Sequence, residues 1–253
     1  MRLLRLTNSY DIDPAISAEG NKVSVCDRLL ASATGEEVKT TVRIIWPDPP
    51  LPGLIDRWLD RYEPDLVYLV VTSYWFTYRS PAVRLERALG RTGKLLSRGG
   101  QRVAGQRWLA HNAVFRGLRR GVLAVIGGST YFSPEQVNAS MEECLRLILA
   151  RENVAVAVRG PRVPFAPEGS ARARRRAEER RLVVHRHVKE LCARLHVPYL
   201  GWDAGVSPQD APETFQGDFV HATEDHHAEV GELEAAVLLS AWRKLHPEVT
   251  VLP

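Results

Sequence analysis

The chain has 253 residues, of which 45% are apolar and 25% charged, and a formal net charge of +4. This is the balance of a globular protein large enough for a substantial core. No stretch approaches the roughly 18 uncharged apolar residues of a membrane-spanning helix. Three cysteines, Cys26, Cys144 and Cys192, are odd in number and far apart, which argues against a disulfide framework or a zinc ribbon. They read as buried reduced thiols. The N-terminal MRLLRLTNSYDID turns polar too early for a secretory signal, so the expected location is cytoplasmic.

LLRLTNS (3–9) suits a short buried strand running into a polar turn. Residues 16–33 carry Val23, Cys26, Leu29 and Leu30 at helical spacing. EVKTTVRIIW (37–46) is rich in β-branched residues and reads as a strand, stopped by PDPPLPG. LIDRWLDRY (54–62) presents Leu54, Ile55, Trp58 and Leu59 on one helical face. PDLVYLVVTS (64–73) is a continuous apolar run, as expected for a strand covered on both faces. Residues 76–128 interrupt the alternation with a basic, glycine-broken stretch, expected to be a helical insertion that serves as a lid or an oligomer contact. Within it, GVLAVIGG (121–128) fits either a strand or a helix end.

The alternation then resumes. Ser133 followed by Pro134 and Gln136 is a helix start with a capping box, and that helix runs to about residue 150. NVAVAVRGP (153–161) is a fourth strand. Residues 169–196 form one long helix with Leu182, Val184, Val188, Leu191 and Leu195 as its core stripe. VPYLGWD (197–203) is a fifth strand, and VGELEAAVLLSAWRKL (230–245) a closing amphipathic helix. Strand alternating with helix predicts a single α/β domain over 1–253, a three-layer sandwich around a five-stranded parallel sheet of flavodoxin-like type. The basic runs at 84–120 and ARARRRAEERR (171–181) lack interleaved aromatics and read as solvated helix faces, so nucleic acid is not an expected partner.

In such sheets, sites gather at the carboxyl ends of the strands. Ser9 follows the first strand. A serine hydroxyl needs an adjacent base to attack, and the base needs a carboxylate to hold its tautomer. Asp218 and His221, three apart before the last helix, can pair and complete a triad. Trp46 and Trp75 stand at strand ends and would shape or occlude an acyl or aromatic pocket.

These features resemble the SGNH (GDSL) hydrolases, whose nucleophile follows strand one and whose Asp-x-x-His precedes the last helix. TNS (7–9) and DFVH (218–221) occupy those places. PDLVYLVV, VRGPRVPF and RLHVPYLGWDAG resemble the family's third strand, fourth-strand exit and fifth strand. The resemblance spans nearly the whole chain except 76–128. It implies a cofactor-free ester hydrolase or deacetylase for a small-molecule or carbohydrate acyl ester, with Ser9 as nucleophile, His221 as base and Asp218 orienting it. The chain departs from the pattern in three places. Thr7 and Asn8 replace the Gly-Asp before the serine, IIWPDPP (44–50) replaces the oxyanion glycine, and Thr72, Ser73 and Tyr74 replace Gly-x-Asn. Asn8, Ser73 or Tyr74 are then the candidate oxyanion donors. The alternatives are a degenerate binding scaffold on the same fold and an acyltransferase using the same triad.

A metal site at His221, Glu224, Asp225, His226 and His227 is the rival reading. Adjacent histidines point apart on a helix, and acids at a helix start follow from the dipole, so no metal is expected. Glu224 to His227 then read as a charged helix start. His111, His185, His187 and His196 are expected to be solvated or capping, and Ser129 lacks the second glycine of a nucleophile elbow.

Overall fold

The computed structural model describes residues 1–8, 11, 13, 15–89, 117, 121–122, 127–163, 170–203 and 222–247. Ser9, Asp218, His221, His111 and most of the 76–128 insertion lie outside the described residues. Of the insertion, residues 81–89, 117 and 121–122 are helical.

The chain forms a five-stranded sheet, β1 (Arg2–Thr7), β2 (Lys39–Ile44), β3 (Leu66–Val70), β4 (Ala155–Arg159) and β5 (Tyr199–Leu200), in the order β2-β1-β3-β4-β5. All four pairings are parallel. The labelled helices are α1 (Lys22–Thr34), α2 (Leu51–Tyr62), α3 (Tyr74–Thr77), α4 (Pro134–Leu149), α5 (Ala171–Arg194) and α6 (Glu224–Leu245). The strand order reverses between β1 and β3, the point at which doubly wound sheets open a crevice at their carboxyl edge.

Strand alternation sorts the core. Leu4 and Leu6 of β1, Val67 and Leu69 of β3, and Val156 and Val158 of β4 pack toward Ile55 and Leu59 of α2, Met141 and Leu145 of α4, and Val184 and Val188 of α5. Their neighbours Leu3, Leu66, Tyr68, Val70, Ala155 and Ala157 pack toward Cys26 and Leu30 of α1 and Ala235, Leu238 and Trp242 of α6. β1, β3 and β4 therefore each supply both layers, which is why the third strand reads as uninterrupted apolar sequence. A Cβ on Gly231 would lie 2.9 Å from the Lys22 carbonyl oxygen and 2.9 Å from Val25 Cβ. Glycine there lets α6 press against α1.

The elements agree with the sequence in order and type. The capping box at Ser133 is present, with the Gln136 amide donating to Ser133 Oγ and the Ser133 amide to Gln136 Oε1. Boundaries differ. The first helix begins at Lys22, because Asn21 caps it by accepting from the Val23 amide at 2.9 Å. Its inward positions are Val25, Cys26 and Leu30, whereas Leu29 is exposed. On α5, Val184, Val188 and Leu191 are buried, and Leu182 and Leu195 only partly so. The fifth strand shrinks to Tyr199–Leu200, since only those residues pair with β4. The closing helix begins at Glu224, where its acidic first turn marked the start.

Four side-chain expectations are corrected. Trp75 does not face the cleft; α3 follows β3 so closely that Trp75 turns into the α2/α4/α5 core and is buried. His185 is neither solvated nor a cap. It lies buried between the Tyr199 hydroxyl (2.9 Å) and Asp203 (3.2 Å), and burial lowers its pKa. His226 and His227 are buried, not part of a solvated helix start, because α6 presses its first turns onto α1 and the loop after β4. Cys26, Cys144 and Cys192 are free and buried as expected, and burial pushes each thiol up to about 12.

Candidate active site

The carboxyl end of β1 brings Thr7 and Asn8 to the reversal point, both buried. The Asp11 amide donates back to the Asn8 carbonyl at 3.4 Å. Asp11 is the anchor of the β1–α1 connection. Its carboxylate pairs with Lys22 Nζ on α1 and with Arg5 on β1 (3.4 Å), and its carbonyl accepts from Asn21 Nδ2 at 3.4 Å. Burial opposes ionisation of Asp11, but the Lys22, Arg5 and Arg159 charges outweigh it and hold the carboxyl well below the usual carboxylate range.

Arg5 lies on the α1/α6 face, over the Tyr68 ring at 4.9 Å, and ion-pairs with Glu234 of α6. Arg159 at the end of β4 pairs with the other Glu234 oxygen. One buried carboxylate thus joins β1 and β4 to the last helix. Glu234 stands in the stripe of Val230 and Leu238, where an apolar residue would be expected.

The N-terminal end of α6 meets this connection. Ser17 hydrogen-bonds Glu224, and Ala15 N–H donates to Asp13 Oδ1 at 3.0 Å. His226 Nδ1 lies 2.9 Å from Glu229 Oε2, and its Nε2 contacts the Arg162 guanidinium. Arginine has no acceptor, so Nε2 carries the lone pair and Nδ1–H donates to Glu229. His226 is therefore neutral, consistent with its lowered pKa from burial and the Arg162 charge. Arg162 lies over the Trp202 ring at 5.0 Å, and burial with the nearby Arg159 brings its pKa down to about 10. Burial and the Lys22 charge bring His227 down to about 4. The three cysteines are thiols near neutral pH, so none is poised as a nucleophile.

The candidate oxyanion donors separate. Ser73 is buried and its hydroxyl donates to the Val163 carbonyl, so it braces the loop after β4. Tyr74 joins an aromatic cluster with Trp46, Tyr78 and Tyr131. Asn8 stands at the end of β1, beside the position of Ser9 in the chain. Asp218 and His221, like Ser9, lie outside the described residues. Ser129 pairs with Ser80 in an antiparallel bridge, a structural place. Among the described residues no group of three His, Cys, Asp or Glu could hold a metal ion, and no helix is long and apolar enough to cross a membrane.

Sequence reasoning passed over Arg5, Asp11, Lys22, Arg159 and Glu234. The signal was there: Arg5 interrupts an apolar strand, and Glu234 interrupts the apolar stripe of an amphipathic helix.

No family model matches the chain, and no curated protein matches it significantly. Solved structures do. An aryl esterase of M. smegmatis superposes with a TM-score of 0.53 at 14% identity, covering 95% of this chain and 99% of that one. A carbohydrate acetylesterase family member from Sinorhizobium meliloti gives 0.52 at 13%, over 96% and 98%. A protein from Parabacteroides merdae described as a GDSL-like lipase gives 0.53 at 10%, over 93% and 95%. At the carboxyl edge of a five-stranded sheet of this order, over nearly its full length, the chain has the fold of the SGNH/GDSL hydrolases.

Proposed function

We propose that the protein is a serine ester hydrolase. Ser9 attacks the acyl carbonyl, His221 takes its proton and returns it to the leaving alcohol, and Asp218 orients His221 and stabilises the imidazolium. Water then releases the acyl group with His221 again as base. The observation that carries this reading is that α6 starts against the β1–α1 connection. Glu224, three residues after His221, contacts Ser17, and Asp11, two residues after Ser9, is locked to Lys22 beneath it. The two parts of the triad thus flank segments that touch.

The fold neighbours described as an aryl esterase and a carbohydrate acetylesterase support a small-molecule or carbohydrate acyl ester as substrate. The backbone N–H of Ser9 and the Asn8 side chain are the oxyanion donors in this reading, with Ser73 committed to Val163. Three buried, unoxidised cysteines support a cytoplasmic location.

Ser9→Ala should lower hydrolysis of p-nitrophenyl acetate about a thousandfold or more, and a fluorophosphonate probe should label Ser9 in the parent protein alone. Full activity in Ser9→Ala would overturn the assignment. The engagement of Ser73 favours one other reading, a binding scaffold that has lost hydrolysis; it predicts neither turnover nor labelling.

A further inference from the structure

Arg5, Lys22, Arg159 and Arg162 bring positive charge to the carboxyl edge on the α1/α6 side. Lys22 has Asp11, Arg5 has Asp11 and Glu234, and Arg159 has Glu234. Arg162, on the loop after β4, forms no ion pair with any carboxylate among the described residues. Glu229 attracts it only from beyond ion-pair distance, its Oε2 being taken by His226 Nδ1. The partner that Nη1 does meet is neutral, the lone pair of His226 Nε2. Arg162 Nε is buried and makes no hydrogen bond. Arg5 and Arg159 also keep an unbonded Nε, but each has its carboxylate.

This half-buried guanidinium is nevertheless held in place. Its Cζ lies 5.0 Å from the centre of the Trp202 ring. Buried Arg181 fixes the backbone on both sides of that contact, Nη1 donating to the carbonyls of Pro161 at 3.0 Å and Trp202 at 2.8 Å. Ser73 Oγ donates to the carbonyl of Val163, the next residue in the chain. Arg162 is thus braced by its neighbours in sequence, by an aromatic face and by a histidine.

A cation drawn out of water without a counter-ion is disfavoured, and a buried N–H without an acceptor adds to the cost. A bound anion relieves both. With Nη1 on His226, the edge left open is the one that carries Nε. That edge of an arginine meets the two oxygens of a carboxylate through parallel N–H···O bonds. One unmatched positive charge calls for a monoanion. We propose that Arg162, set over Trp202 and oriented by His226, binds a carboxylate carried by the ester substrate, an inference that rests on the hydrolase reading above. His226 stands five residues after His221, so it ties this arginine to the helix that the proposed base precedes.

The test pairs esters that differ by one negative charge. On the acyl side, mono(4-nitrophenyl) glutarate is compared with 4-nitrophenyl valerate; on the alcohol side, 4-acetoxybenzoate with its methyl ester. All are assayed in the parent protein, Arg162→Gln and Arg162→Lys. In at least one pair, the preference for the anionic ester in kcat/KM should fall about 10- to 100-fold in Arg162→Gln, the size of a hydrogen bond to a charged group. Arg162→Lys should keep only part of the preference, since an ammonium supplies the charge without the fork. An unchanged preference in both pairs would overturn the inference. Where Arg162→Gln fails to fold, Arg162→Lys carries the test, and parity with the parent overturns it. If the parent turns over none of the esters, the hydrolase reading fails, and calorimetric titration with glutarate and benzoate decides the binding site separately. Binding in the parent that weakens in the variants supports the site; no binding, or binding indifferent to Arg162, removes it.

Discussion

The face of the sheet under α2, α4 and α5 is apolar from β1 to β4, whereas the face under α1 and α6 carries Arg5, Asp11, Lys22, Arg159 and Glu234 among its leucines and alanines. At the carboxyl edge the first face ends in half-buried aromatic rings and the second in buried ion pairs and histidines. The contrast suggests a division of labour. The apolar face holds the sheet together through area and close packing, and tolerates small losses. The charged face fixes which segments meet, because a buried ion matched to the wrong partner is strongly disfavoured.

The largest test of that contrast is Glu234→Ala. It leaves Arg159 without its carboxylate and Arg5 with Asp11 alone, and should cost about 3–5 kcal/mol in urea denaturation. Replacing Arg5, Arg159 and Glu234 together by leucine should recover much of that loss, and a loss below about 1 kcal/mol in the single variant would dissolve the distinction between the faces. The next test is pH. The folded state holds His227 neutral, with a pKa near 4, while the unfolded chain titrates at the ordinary value of about 6.5. Below that value the unfolded state binds the extra proton, so this contribution is intact above about pH 6.5 and is lost as pH falls to about 4. It should amount to roughly 1–3 kcal/mol over that window, and His227→Gln should flatten the slope. His226 and His185 shift in the same direction, whereas Asp11, held low, matters only in stronger acid. An unaltered slope in His227→Gln would remove the histidine from the charged face's account. The smallest effect belongs to the apolar face: Ile148→Val, in α4, should cost about 1 kcal/mol with little pH dependence.

Much of the architecture was legible in the sequence because burial on both faces leaves unbroken apolar runs in β3 and β4, and because Ser133, Pro134 and Gln136 spell a helix start in local chemistry alone. The charged face was not legible for the same reason it is unusual. Charge in a sequence reads as solvent, and Glu234 differs from the exposed glutamates beside it only by its place in the stripe of Val230 and Leu238. Arg5, stranded between leucines, was the plainer sign that a distant carboxylate must come inside. The histidines of α6 were misjudged because adjacency excludes a shared helix face but does not exclude two buried ones, when α1 crowds one side and Arg162 the other. Trp75 was misjudged because a short helix begun straight after a strand swaps which neighbour points inward.

The pairing of Arg5 with Glu234 joins residues 229 apart. During synthesis β1 leaves the ribosome long before the Glu234 carboxylate that pairs with its buried arginine. Until α6 arrives, Arg5 has only Asp11 and Arg159 lacks its Glu234 partner, so β1 and β4 are discouraged from settling early and α6 acts as a late step of folding. A nascent chain halted before residue 224 should remain open to proteolysis at its N-terminal strands, and release of the full chain should close it.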